Sequence, residues 1–330
     1  MALYTETKAH NSKEAPKNDR TLLIDADTMA FHAILQCTSE EVLMDRGFYS
    51  DEAWAIIEAE EGYNPDNNTL RMLNFDQAKK AFNYKIESLM LATGCKDYEL
   101  FLTGWFPTFR HYILPEYKSD RKGGQRPLRL AEFKLWAVIN RGAKISPDVE
   151  ADELIGEIQM KDPSRYIIAS VDKDLLLQLV GDKFDYYNKR FHMCHTTEKE
   201  SCYWFHHRLL MGDRGDYLLT GLTRVGEKTA TKLLAKIKKL EEELDYEEYK
   251  IQLFETVRKE YIRQGVDRLH LMYATIGATN IRDGHFYMES PTTTNLLVCP
   301  YCRNKKSEES VDCGNHVLPD VPKGFDPLGG

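Results

Sequence analysis

Two short apolar runs in this chain end in the same way. Residues 21–24 lead into Asp25-Ala26-Asp27, and residues 166–171 lead into Asp172-Lys173-Asp174. A short continuous apolar run suits a strand buried on both faces, as in the interior of a parallel sheet. A pair of carboxylates resists that burial, so each Asp-x-Asp marks where its strand leaves the sheet. Residues 98–103 repeat the pattern of an apolar run that ends in polar residues. Between these runs the periodicity is helical: Ala151, Leu154, Ile155 and Ile158 share one helix face, and Ser146-Pro147-Asp148 marks its start. Strands alternating with helices predict an α/β fold with a parallel sheet. Ligands of such sheets bind outside the carboxyl ends of the strands, which is where both Asp-x-Asp pairs fall.

At 330 residues and 42% hydrophobic, the chain can bury one large core or a core with a satellite. Its apolar runs are far shorter than the ~20 residues of a membrane span. Residues 1–20 are a polar lead-in with no apolar stretch of a secretory signal, so a cytoplasmic protein is expected. Seven scattered cysteines do not form a disulfide framework. A net charge of −8 argues against a protein that coats nucleic acid indiscriminately. The charge is uneven, with basic residues gathered at 110–134 and 224–239 and acidic ones at 40–61 and 241–248.

Carboxylates stand in four places: Asp25 and Asp27; Glu150, Asp152 and Glu153; Asp172 and Asp174; and Asp213 and Asp216. Taken singly, each is most simply a solvated surface acid or a helix N-terminal one. Converging, they need cations between them. Mg²⁺ or Mn²⁺ takes such hard oxygen ligands, and a pair of ions suits phosphodiester hydrolysis. His111, His192, His195, His206 and His207 are read as surface or packing residues, because a hard-metal site does not call for imidazole.

In this order the motifs resemble the flap endonuclease-like 5′ nucleases, particularly the phage exonucleases and the nuclease domain of bacterial DNA polymerases. The resemblance runs from about residue 21 to 234. It is carried by Leu22-Leu23-Ile24-Asp25-Ala26-Asp27, by Phe109-Arg110-His111 with Pro115-Glu116-Tyr117-Lys118-Ser119-Asp120-Arg121, by Glu150-Ala151-Asp152-Glu153, by Val171-Asp172-Lys173-Asp174, and by residues 212–234. It implies a PIN-like nuclease core with a helical arch over the site and a helix-three-turn-helix element that binds DNA. It implies Asp25, Glu150, Asp152 and Asp172 as metal ligands, with Asp174, Asp213 and Asp216 completing the site and Glu153 where many phage relatives have Asp. Asp27 varies among relatives. Asp25 and Asp172 would serve catalysis, with Lys118 and Arg121 at the scissile phosphate. Arg110 and Tyr117 would help to bind DNA. The chain departs from the family at Thr103, where Asp is common, at Tyr217 for Asn, and at Arg224 for Gly.

Residues 110–134 interleave cations with Phe109, Tyr112 and Tyr117 around Gly123-Gly124, which suits tracking a single strand by charge and stacking; a solvated charged helix and loop is the alternative. Gly221-Leu222-Thr223-Arg224-Val225-Gly226-Glu227-Lys228-Thr229 nearly spells a P-loop. A P-loop needs Lys directly after the second Gly and a strand before the first, and neither is present. The segment reads instead as a hairpin that grips duplex phosphates through helix amides with Lys228 and Thr229. Relatives imply K⁺ at its carbonyls. Cys299, Cys302, Cys313 and His316 form C-x₂-C-x₁₀-C-x₂-H, the spacing of a structural Zn²⁺ site, with reduced thiols in a loose tail as the alternative.

The expected organisation is a lead-in at 1–20, a nuclease core at 21–205 with the arch at about 109–135, a helical region at 206–290 and a tail at 291–330. The expected protein is a monomeric 5′-3′ exonuclease or flap endonuclease acting in replication or primer removal, within a bacterial host if phage-encoded. Its partner would be DNA with a free 5′ end, flap or gap. Action on RNA/DNA hybrids and non-catalytic binding of branched DNA remain as alternatives.

Overall fold

The structure, a computed structural model, describes residues 15–105, 108, 111, 117, 127–146, 149–186, 192–212 and 222–266, together with five two-residue strands between 281 and 306. In chain order the main elements begin with β1 (Thr21–Asp25) and α1 (Ala26–Cys37). A small unit follows: β2 (Val42–Leu43), α2 (Asp51–Glu58), β3 (Tyr63–Asn64) and β4 (Thr69–Leu70). Then come α3 (Phe75–Thr93), β5 (Asp97–Thr103), α4 (Leu130–Arg141), β6 (Lys144–Ser146), α5 (Ala151–Lys161) and β7 (Tyr166–Ser170). The remainder is α6 (Lys173–Gln178), β8 (Gly181–Asp185), β9 (His192–Thr196), α7 (Glu198–Met211), α8 (Glu227–Lys238) and α9 (Tyr246–Arg263).

Six strands form one sheet in the order β6-β5-β1-β7-β8-β9, parallel except for β9. The expected α/β fold is therefore present. The alternation of side chains along β1 divides the core in two. Leu22 and Ile24 face α1, α3 and α4, where Phe82, Leu89 and Phe133 pack, while Leu23 faces α5 and α6 through Ile155 and Leu175. Burial on both faces is why the strand sequence carries no polar alternation. Chain order makes β1 the switch point: the chain passes from β1 outward to β5 and β6, then returns to β7 on the other side of β1. A crevice for ligands opens at such a point.

A second core is helical. Leu209 and Leu210 of α7, Leu234 of α8, and Tyr249, Leu253 and Val257 of α9 are buried together. The boundary expected at 205/206 falls inside α7, because that helix packs its whole buried face into this second core. His206 is fully buried there and donates through Nδ1 to the Cys202 carbonyl at 2.8 Å. Burial lowers its pKa to about 4, so it is a neutral packing group. α4 begins at Leu130, inside the segment expected as an arch, and buries Phe133 in the main core. Gly94 ends α3 in the left-handed region, with a Cβ there 2.2 Å from the Pro16 carbonyl oxygen, so only glycine fits. No helix among the described residues is long and apolar enough to cross a membrane.

Candidate metal and nucleic-acid site

Asp25 closes β1 and caps α1, its Oδ1 accepting the Asp27 amide at 3.2 Å. Strand passes into helix with no loop between, so the carboxylate is fixed at the carboxyl edge of the sheet. There it is buried. Desolvation raises its pKa well above the usual carboxylate range, and the nearby negative charges of Asp27, Asp152 and Asp172 raise it further. Asp25, Asp152 and Asp172 come from β1, α5 and the turn after β7, so the fold itself brings carboxylates from three elements to this edge.

Around α5, Glu150, Asp152 and Glu153 each offer a carboxylate oxygen within 4.8 Å of the others. This helix N-terminus suits anions. Part of the cluster serves the helix itself: Glu153 accepts the Glu150 amide at 2.7 Å, and Asp152 accepts the Glu153 amide at 2.9 Å. The donor set is all hard oxygen, which fits a divalent cation such as Mg²⁺ or Mn²⁺ and does not fit a soft one.

Several supporting residues carry no motif. The Ser170 hydroxyl, in the last position of β7, accepts the Asp172 amide at 2.9 Å and donates to Asp25 Oδ2 at 3.4 Å, linking two of the aspartates. Lys134 of α4 pairs with Asp27 at 2.7 Å and also donates to the Thr103 carbonyl at 3.1 Å. The Thr103 amide donates to Asp27 Oδ2 at 2.9 Å. Asp27 is thus ion-paired and tied to β5. Thr103 accepts the Ala151 amide through its hydroxyl at 3.1 Å and so helps to hold the start of α5. The signal for Lys134 was a cation inside an otherwise amphipathic helix, which sequence alone assigns to solvent.

Tyr117, expected from the resemblance to contact DNA, is buried within the helical core in this structure, and its hydroxyl donates to Glu150 Oε2 at 2.9 Å. Burial leaves no ring face for a base to stack on. Its position lets the helical core hold a carboxylate of the acidic site.

Gly226 caps α8 without a side-chain bond, and Lys228 and Thr229 are exposed in the first turn. Arg224 adopts φ +60°, the left-handed conformation for which glycine is favoured. Asp174 lies on α6, with its side chain outside the described residues. Arg110, Lys118, Arg121, Asp213, Asp216, Gly221, Cys299, Cys302, Cys313 and His316 also lie outside the described residues.

No protein-family model and no curated protein sequence matches the chain. Among solved structures, a mutant of the T5 5′-exonuclease is similar at 15% identity with a TM-score of 0.44, over 79% of this chain and 93% of that one. A complex of the bacteriophage T5 flap endonuclease with DNA and metal ions is 16% identical with a TM-score of 0.44, over 78% and 93%. The catalytic core of Rad2 with DNA substrate is 11% identical with a TM-score of 0.42, over 79% and 81%. The chain is an α/β protein whose mainly parallel sheet gathers acidic side chains at its carboxyl edge.

Proposed function

We propose that the chain is a divalent-metal-dependent 5′ nuclease that hydrolyses DNA phosphodiesters at or near a free 5′ end. One observation carries the reading: Asp25, buried at the switch point of the sheet, is crowded by the charge of Asp27 beside it and by those of Asp152 and Asp172 from two other elements. The ordered motifs across residues 21–234 support it. Asp25, Glu150, Asp152 and Asp172 would hold two Mg²⁺ or Mn²⁺ ions, with Glu153, Asp174, Asp213 and Asp216 completing the set. Bound ions would supply charge neutralisation and polarisation at water and phosphate oxygens. Tyr117 and Ser170 position Glu150, Asp25 and Asp172 by hydrogen bonding. Lys134 keeps Asp27 out of the set.

Lys118 and Arg121 are assigned to the scissile phosphate. Gly226, Lys228 and Thr229 at the start of α8 are assigned to duplex phosphates, with K⁺ at the neighbouring carbonyls. The test is incubation with 5′-labelled flap, gapped and blunt duplexes and an RNA/DNA hybrid, with Mg²⁺ or with chelator. Metal-dependent release of short 5′-labelled products is expected from the DNA substrates. Binding without cleavage of any of them in Mg²⁺ or Mn²⁺ overturns the proposal in favour of a non-catalytic branched-DNA-binding protein. We also assign one structural Zn²⁺ to Cys299, Cys302, Cys313 and His316, a full set of protein ligands. Elemental analysis showing no zinc rejects that assignment.

A further inference from the structure

The small unit of β2, α2, β3 and β4 stands apart from both main cores. Residues 40–71 carry nine carboxylates and two arginines, a net charge of −7, where the whole chain carries −8. The unit is firmly built. Trp54, Ile57 and Leu70 form a core of their own against Met44 and Tyr63. Its neck joins the body through Ser39 N–H to the Met72 carbonyl at 2.8 Å and Asn74 N–H to the Cys37 carbonyl at 2.9 Å. A second tie runs from the Arg129 amide to Glu61 at 2.8 Å. At Gly62 a Cβ would lie 1.9 Å from the Arg71 carbonyl oxygen, so the strands close on one another there.

This ordered unit nevertheless turns large apolar side chains outward. Phe48 is 84% exposed and Leu43 is 74% exposed, with Val42 and Tyr49 exposed beside them in sequence. Glu40, Glu41, Asp45, Asp51 and Glu52 stand among these four residues; Arg46 is the lone cation of the stretch and pairs with Asp51. Repelling nucleic acid would need only the charges. Apolar groups held in water beside carboxylates are instead the composition of a protein-docking surface. The charge selects the partner's sign, since association is favoured when opposite potentials meet.

We propose that the Glu40–Glu52 stretch of this unit docks a basic amphipathic segment of another protein, with Leu43 and Phe48 as apolar anchors and the surrounding carboxylates paired to Lys or Arg. A polyanion such as DNA is excluded by the same charge, so the docked protein would be held without competing for the substrate at the sheet edge.

The test uses the full chain and a fluorescein-labelled 18-residue Lys/Leu peptide of amphipathic helical pattern, with a shuffled peptide of the same composition, followed by anisotropy. Leu43→Ser with Phe48→Ser should weaken binding of the patterned peptide by about tenfold or more, the loss typical of removing interface anchors. Glu40→Gln with Glu41→Gln should weaken it and flatten its salt dependence. Flap cleavage by both variants should match wild type within about twofold. Equal binding of the shuffled peptide, or unchanged binding by Leu43→Ser with Phe48→Ser, overturns the proposal. So does sedimentation showing a wild-type dimer that this variant abolishes, because the surface would then join two copies of this chain.

Discussion

The chain has two acidic regions, and they differ in nearly everything except charge. The carboxylates at the sheet edge come from elements far apart in sequence and meet where β1 and β7 end; those of the small unit lie along one continuous stretch and stay in water. Burial and mutual repulsion raise the pKa of Asp25, whereas the fully exposed Glu52 at the start of α2 is lowered by a backbone hydrogen bond and the Ser50 hydroxyl. The same side-chain chemistry therefore reaches opposite electrostatic states. Convergence in a low-dielectric place makes carboxylates a candidate cation site, and a high local count does not.

Four variants test that contrast, in descending order of effect. Asp172→Asn keeps shape and removes one converging charge. Losing several kcal/mol of transition-state stabilisation corresponds to about 100-fold or more, to be read as single-turnover cleavage of a 5′-flap substrate at saturating enzyme. Near wild-type rates would place the chemistry elsewhere. Asp25→Asn relieves the buried repulsion, so the metal-free protein should melt above wild type. Adding Mg²⁺ should raise Tm in the wild type and do so little in this variant, since only a bound ligand shifts the unfolding equilibrium. A metal-free Asp25→Asn protein that melts below wild type would show that the charge at Asp25 is already balanced.

Tyr117→Phe removes the hydroxyl that holds Glu150 and should raise the Mg²⁺ concentration for half-maximal cleavage by about tenfold, the lower end for residues that orient a metal ligand. Circular dichroism should show an intact fold. An unchanged Mg²⁺ requirement would mean that the hydrogen bond serves packing alone. The smallest effect belongs to the other acidic region: Asp45→Asn with Glu52→Gln should leave stability within about 0.5 kcal/mol and leave the Mg²⁺ requirement where it was. A clear shift in either would erase the distinction between the two regions.

Local sequence carried a good part of the fold. The apolar runs at 21–24, 98–103 and 166–171 lie in β1, β5 and β7, and the periodic face at 151–158 lies in α5. Gly226 opens the Lys-rich α8 as its sequence suggests. Short strands such as β6 and β8 were not legible, because Lys144 and Lys183 break the apolar run and pairing with neighbours, not propensity, makes them strands.

By itself the sequence determined which residues could be buried along a strand and where each strand must end, because apolar continuity and carboxylate hydration are local properties. It also supplied Asp25, Glu150, Asp152 and Asp172 as candidates. Only the tertiary structure decided what each polar group does. It paired Asp27 with Lys134, turned Tyr117 inward onto Glu150, gave Thr103 the start of α5 to hold, and set Ser170 between Asp25 and Asp172. The physical reason is that a carboxylate's state depends on the charges and water within a few ångströms of it, and those neighbours arrive from elements that sequence distance keeps apart.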